Sequence, residues 1–353
     1  MRTEVDPQKL ETLAGKVLGD VAGAMGLFLA YLGDRAGVYE ALDEAGPITA
    51  EALAERTGLN PKYLREWLSS NAAGGYVEYD EETERFHLTP EQALVFTREG
   101  QPACMQGFFQ SVVGQMATHE EAVDTFVSGR GRPWNAQSAC CCSAVDRFFR
   151  PGYAASLVQE WLPAIAGARE KLEAGARVAD VGCGYGSATI LMAQAFPQSR
   201  FYGFDFHEPS IDEARERARA AGVDNVEFHV ARAGDFAGEG FDLVCIFDAL
   251  HDMGDPVGAA AHIRETLRPD AALMLVEPMA GDSLVDNLHP MGQLYYGFST
   301  TVCTPCSLAQ EVGLGLGTQA GQRRLTEVLN EAGFSRVRRA AETPTNMVLE
   351  ARV

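Results

Sequence analysis

Two periods of hydrophobic and polar positions run through this chain, and the switches between them mark its elements. Val178-Ala179-Asp180-Val181 is an apolar run broken by one acid, of a length that suits a buried strand. It meets glycines at alternate positions, Gly182, Gly184 and Gly186, after which Ser187 to Phe196 reads as a helix. Glycines let a backbone approach a ligand closely, and the unpaired N–H groups of a helix start favour polar or anionic atoms. Ser199 to Phe204 reads as the next short strand, Phe241 to Phe247 as the fourth and Ala272 to Glu277 as the fifth. Arg336 to Ala341 and Asn346 to Ala351 form a final pair.

The first hundred residues carry another pattern. Ala36 to Leu42, Thr49 to Thr57 and Pro61 to Ala73 read as helices, the second behind a threonine cap and the third with proline near its start. Tyr76 to Tyr79 and Arg85 to Leu88 then alternate like the strands of a hairpin around the acidic turn Asp80 to Glu84. This is the pattern of a winged helix-turn-helix. Between the modules, Gln106 to Phe126 and Ala144 to Ala166 have helical periodicity, the latter with a break at Pro151-Gly152.

Charge narrows what the winged helix can do. Residues 1 to 100 hold 9 Lys or Arg against 18 Asp or Glu, and the third helix offers only Lys62 and Arg65 beside Glu66. That is poor material for a DNA groove; the arrangement resembles the module of the winged-helix O-methyltransferases, which implies a homodimerisation role instead. The whole chain, 353 residues with a net charge of −20, repels phosphate backbones and anionic membranes, so neither nucleic acid nor a membrane is an expected partner. The amino end does not read as a secretory signal, and the Gly- and Ala-rich stretch Val21 to Leu32 is too short to span a bilayer. Eight cysteines without small-scaffold spacing suggest reduced thiols and a cytoplasmic protein.

A dinucleotide loop needs its third glycine three residues after the second, whereas here the glycines are evenly spaced and Asp180 precedes them. An acid ahead of the loop suits a cationic ligand. The D-x-G-x-G-x-G run from Asp180 to Gly186 resembles the first motif of the class I S-adenosylmethionine (SAM) methyltransferases. The resemblance implies that this loop holds the amino-acid part of SAM. Asp205, nineteen residues beyond Gly186 at a strand end, is the expected acceptor for the ribose hydroxyls, with Phe206 beside it as an adenine contact. Phe228 to Phe236 resembles the family's third motif and brings Asp235 and Phe236 to the adenine.

The fourth strand delivers Asp248-Ala249-Leu250-His251-Asp252-Met253 to the crevice at the sheet's carboxyl edge. In winged-helix O-methyltransferases, which the amino-terminal module resembles, a comparable L-H-D-W-x-D segment supplies a catalytic histidine; Met253 replaces the tryptophan. The resemblance implies that His251 is the general base and that Glu277, ending the fifth strand, orients its imidazole. Asp248 is expected at the amino-acid portion of the cofactor, and Tyr153 or Arg150 could face it too. A second orienting acid falls near Gln319 to Gln322, where this chain has no carboxylate. A reaction in which the pocket only positions an already nucleophilic substrate therefore stays open. Met279 to Gln319 reads as a lid insertion. Phrases from Arg147 onward resemble actinobacterial-type methyltransferases.

The expected fold is α/β: a Rossmann-like, doubly wound seven-stranded sheet with a reversed last strand behind a mainly helical winged-helix domain. The expected domains are 1–100 for the winged helix, 101–170 for a helical connector and 171–353 for SAM binding. Expected function is SAM-dependent methyl transfer to a small molecule, first of all at a hydroxyl oxygen, by a homodimer with no resident metal. Two alternatives stand beside it. Cys140-Cys141-Cys142 and the Cys303/Cys306 pair could converge for soft-metal, metalloid or thiol methylation, or the winged helix could serve a SAM-sensing transcription factor.

Overall fold

The computed structural model describes residues 4–353. The chain divides into two compact units, one ending at Gly114 and the other running from Gln115 to Val353, so the connector is shared between them and forms no unit of its own.

The first unit opens with a long helix, α1 (Pro7–Arg35), started by Asp6, whose carboxylate accepts from the backbone N–H groups of Gln8 and Lys9. The apolar stretch Val21 to Leu32 is thus only the second half of a 29-residue helix, long and apolar enough by those measures alone to cross a membrane. Its length exceeds the sequence expectation because no proline or cap interrupts the preceding turns. α2 (Val38–Ala45), α3 (Ala50–Thr57), α4 (Pro61–Ala73) and the hairpin β1 (Glu78–Asp80) and β2 (Arg85–His87) complete the winged helix. Thr49 caps α3 and Asn60 caps α4, each through its side-chain oxygen. Tyr39, Leu42, Leu53, Leu68 and Trp67 form the core, with the Tyr39 ring stacked on Phe96.

The second unit is built on one sheet of seven strands. In chain order these are β3 (Arg177–Val181), β4 (Arg200–Asp205), β5 (Val226–Val230), β6 (Phe241–Phe247), β7 (Leu267–Pro278), β8 (Arg336–Glu342) and β9 (Asn346–Arg352). Their order in space is β5-β4-β3-β6-β7-β9-β8, and only β9 is reversed, running antiparallel to both of its neighbours, β7 and β8. The order reverses between β3 and β6, and ligands bind at the carboxyl ends of strands beside such a switch point. One apolar cluster packs on each face: Trp161, Leu162 and Met192 on one, Phe241, Ile263 and Leu329 on the other.

The connector departs from its expected shape. A helix from Ala139 to Ser156 runs straight through Pro151, and the irregularity falls later, as a wide turn over Leu157–Trp161. Proline costs the helix one N–H bond, but burial of Phe148, Pro151 and Tyr153 keeps the turn packed. The insertion after β7 is largely helical, with helices Pro290–Phe298 and Thr304–Leu308 joined by a wide turn at Ser299–Cys303.

Candidate active site

At the carboxyl ends of β3, β4 and β6 the second unit holds a cavity of about 980 Å³. Its wall includes Asp180, Gly182, Gly184, Asp205, Phe206, Asp235 and Asp248, which brings seven of the expected cofactor residues to one space. Gly186 and Phe236 do not reach it. Gly186 starts the helix that follows β3, and a Cβ there would lie 2.6 Å from the Phe228 ring, so this glycine serves close packing. Phe236 is buried in the core against Phe204, Phe241 and His262, and the wall beside it is made by Ala231 to Asp235. An apolar ring next to a solvated loop gains more from the core than from the cavity edge.

The loop after β3 fits a cationic, hydroxyl-bearing ligand such as SAM. Gly184 has φ +53, and a Cβ built on it meets only open space, so the backbone is bare where the cavity begins. Asp205 fixes the loop by accepting from the Gly184 N–H at 2.9 Å and the His207 N–H at 2.8 Å, with lone pairs left for ribose hydroxyls. Asp180 accepts from the Thr189 hydroxyl at 2.5 Å through one oxygen, while its other oxygen is buried without a partner. Burial raises the Asp180 carboxyl to about 7, the Thr189 hydrogen bond pulling down and the Asp205 charge adding to the rise. A cation at this point would give the orphaned oxygen its partner and favour the charged carboxylate. Acids prevail around the whole cavity: Asp146, Asp180, Asp205, Asp235, Asp248, Asp252, Asp255 and Glu311 stand against Arg232.

Asp248 adopts a left-handed backbone (φ +50), which aims its carboxylate back into the fold. It accepts from the Tyr153 hydroxyl at 2.7 Å and the Asn346 amide at 2.8 Å, and burial together with the nearby Glu277 charge raises it well above the usual carboxylate range. Tyr153 lines the cavity; Arg150 does not, and ion-pairs with Asp146 at 3.7 Å. Asp146 also accepts from Ser187 at 2.5 Å and Arg217 at 2.8 Å, tying the Ala139–Ser156 helix to the cofactor loop. No motif pointed to Asp146, Thr189 or Asn346. Their partners lie 41, 9 and 98 residues away in sequence, so no local spacing could have found the two distant ones.

The short 3₁₀ turn after β6 (Leu250–Asp252) carries the expected catalytic pair. Glu277, buried at the end of β7, accepts from the Leu250 N–H at 3.0 Å and faces His251 Nδ1 at 2.5 Å. Nε2 of the same ring lies 3.3 Å from Asp252 Oδ1. Burial pushes the imidazole down, but the Glu277 and Asp252 carboxylates outweigh it and raise His251 to about 10. Neither His251 nor Glu277 is on the cavity wall, whereas Asp252 and Met253 are. The Cys303 thiol lies beside Asp252, and burial raises it well above the usual thiol range. The nitrogen, oxygen and sulfur of His251, Asp252 and Cys303 lie within 4.8 Å of one another, within reach of a single metal ion.

All eight cysteines are reduced. Cys141, Cys303 and Cys306 share a buried cluster with Val302, while Cys142 and Cys306 reach the cavity wall, so the consecutive cysteines point apart.

Comparison with known proteins places this geometry. Residues 172–333 match a methyltransferase domain family, and residues 23–98 match the Rv2258c-like winged HTH domain. A demethylmenaquinone methyltransferase of Listeria monocytogenes is 27% identical over 179 residues, 48% of this chain and 73% of that protein. The fold is that of the mitomycin 7-O-methyltransferase MmcR, with a TM-score of 0.71 at 20% identity over 98% of this chain and 100% of the other. Human N-acetylserotonin methyltransferase, solved in complex with SAM, has a TM-score of 0.70 at 16% identity over 100% and 99% of the two chains. A methyltransferase domain behind a winged helix, with an acid-lined cavity at the glycine loop that suits SAM, makes this chain a class I SAM-dependent methyltransferase of the winged-helix type.

Proposed function

We propose that this enzyme transfers a methyl group to a hydroxyl oxygen of a small molecule, as a cytoplasmic homodimer. The observation that carries the reading is the buried polar chain Glu277–His251–Asp252, which runs from the end of β7 to the cavity wall. Bound SAM supplies a methyl carbon made electrophilic by its sulfonium. The protein's residues do the rest. Asp205 holds the ribose, Asp180 offers its unpartnered oxygen to the cationic part of the cofactor, and the Asp252 end of the chain faces the acceptor. Trp134, Phe149 and Met253 on the same wall offer apolar surface for a ring. With eight acids against one arginine on that wall, a neutral or cationic acceptor fits better than a carboxylate or phosphate.

Homodimer formation is supported by α1. Leu10, Leu13, Val17, Leu18, Val21 and Met25 are all more than half exposed, a long apolar strip that a second copy's helix would cover. A soft-metal acceptor finds less support, because burial raises the Cys141, Cys303 and Cys306 thiols above their ordinary range and so disfavours the thiolate that binds such metals.

A panel of phenols, aliphatic alcohols, amines, carboxylic acids, thiols and arsenite, read by mass spectrometry for methylated product, tests the acceptor class. Hydroxyl methylation is the expected result, and turnover of amines, thiols or arsenite alone would refute it. In Asp205→Ala, SAM affinity measured by calorimetry should fall by about 1–3 kcal/mol, through unpartnered ribose hydroxyls and a loosened Gly184 loop.

A further inference from the structure

We propose that Gln310 is a positioning residue for methyl transfer, splinting the turn that carries His251 and Asp252 to the rim of the cavity. The inference rests on the hydroxyl-methylation reading and deepens it. The Gln310 amide is spent on backbone groups: Oε1 accepts from the Gly254 N–H at 3.0 Å, while Nε2 donates to the carbonyls of Asp252 at 2.8 Å and Cys306 at 3.0 Å. Two neighbours complete the splint. The Ser307 hydroxyl donates to the Met253 carbonyl at 2.8 Å and accepts from the Gly315 N–H at 3.0 Å, and the Leu314 N–H donates to the Gly254 carbonyl at 2.9 Å. The insertion after β7 thus holds the carbonyls of all three residues that follow His251.

A single 3₁₀ turn has poor hydrogen-bond geometry of its own, so tertiary contacts fix where its side chains point. Glu277 fixes the near end of this one through the Leu250 N–H, and Gln310 fixes the far end. Gly254 is part of the same device. Both its backbone groups are taken by the two ends of segment 310–314, and a Cβ there would lie 2.4 Å from the Gln310 Cβ and 2.7 Å from the Glu311 carbonyl oxygen. Between those ends Val312 has φ +74, a backbone that a β-branched residue keeps only when its surroundings over-determine it. The segment is therefore fixed against its own preference. Gln310, Glu311 and Val312 line the cavity together with Asp252 and Met253, so the strip that fixes the turn also borders the reacting space. Gln310 itself is an exposed rim residue, and replacing it opens no hole in the core. Displacing a catalytic group by about 1 Å costs on the order of 100-fold in rate, and that displacement is what the splint prevents.

Two phenols that the wild type turns over, matched in size, test this: one bears a nitro group and is ionised at the assay pH, the other is neutral and must give up its proton. Gln310→Met, which keeps the length but none of the hydrogen bonds, should lower kcat on the neutral phenol by about 10–100-fold. On the ionised phenol, which needs no base, kcat should stay within about threefold of wild type. Gly254→Ala, which pushes the segment off the turn from the other side, should repeat the pattern. KM for either phenol, and SAM affinity by calorimetry, should change by less than about threefold in Gln310→Met. Equal loss on both phenols would mark Gln310 as merely structural and overturn the assignment. So would undiminished turnover of the neutral phenol by Gln310→Met, or a fall in SAM affinity with kcat intact, which would make Gln310 a cofactor contact. A wild type that methylates amines but no hydroxyl would refute the underlying reading before any variant is made, and the inference with it.

Discussion

His251 Nδ1 lies 2.5 Å from Glu277 Oε2, and the same carboxylate holds the backbone of the 3₁₀ turn through the Leu250 N–H. One buried acid therefore sets both the ring and the loop that carries it. In Glu277→Gln the shape is kept but the charge opposite the imidazole is lost. Turnover should fall by about 10–100-fold with SAM affinity little changed, and the loss should appear in kcat more than in KM. Steady-state kinetics on any accepted hydroxyl substrate checks this.

Asp180 makes cofactor binding depend on pH. Its carboxyl is raised to about 7 by burial, and a cationic ligand binds better when it is charged. SAM affinity should therefore rise between pH 6 and 7.5, with proton release on binding, and Asp180→Asn should bind more weakly and without that rise. The sign for stability is opposite. With the folded carboxyl above its unfolded value of 3.8, the ligand-free protein binds more protons than the unfolded chain between those limits. Stability from this group is then present at low pH and lost as pH rises toward 7, at up to about 1.4 kcal/mol per pH unit. Calorimetric titrations and thermal melts of both proteins across that range check both signs.

Gly184 and Gly186 should respond differently to alanine. At Gly186 the new Cβ would sit 2.6 Å from the buried Phe228 ring, so Gly186→Ala should cost about 1–3 kcal/mol of stability. At Gly184 the methyl enters open cavity, and the left-handed backbone costs about 1 kcal/mol while SAM affinity falls at least tenfold. Denaturant melts paired with calorimetry separate the two effects.

The strip along α1 predicts its own disruption. Leu13→Glu with Val17→Lys places charges in the middle of the exposed apolar face. Sedimentation should show a dimer for the wild type and a smaller species for the double variant. A monomeric wild type would refute the dimer.

Much of this enzyme was legible in local pattern. The alternate glycines after Asp180, the acid nineteen residues on at Asp205 and the apolar strands each depend on neighbours in sequence, and backbone sterics and burial act at that range. A threonine cap and an early proline likewise marked the starts of α3 and α4, at Thr49 and Pro61. What the local pattern determined was the fold, the cofactor loop and the candidate residues at strand ends. Tertiary structure decided which of those residues face the cavity. Phe236 turned into the core, Gly186 became a packing position, and Asp252 reached the wall while His251 stayed behind it. The reason is physical: side-chain direction and protonation follow from partners brought close only by folding, as Asn346 is to Asp248 and Glu277 to His251.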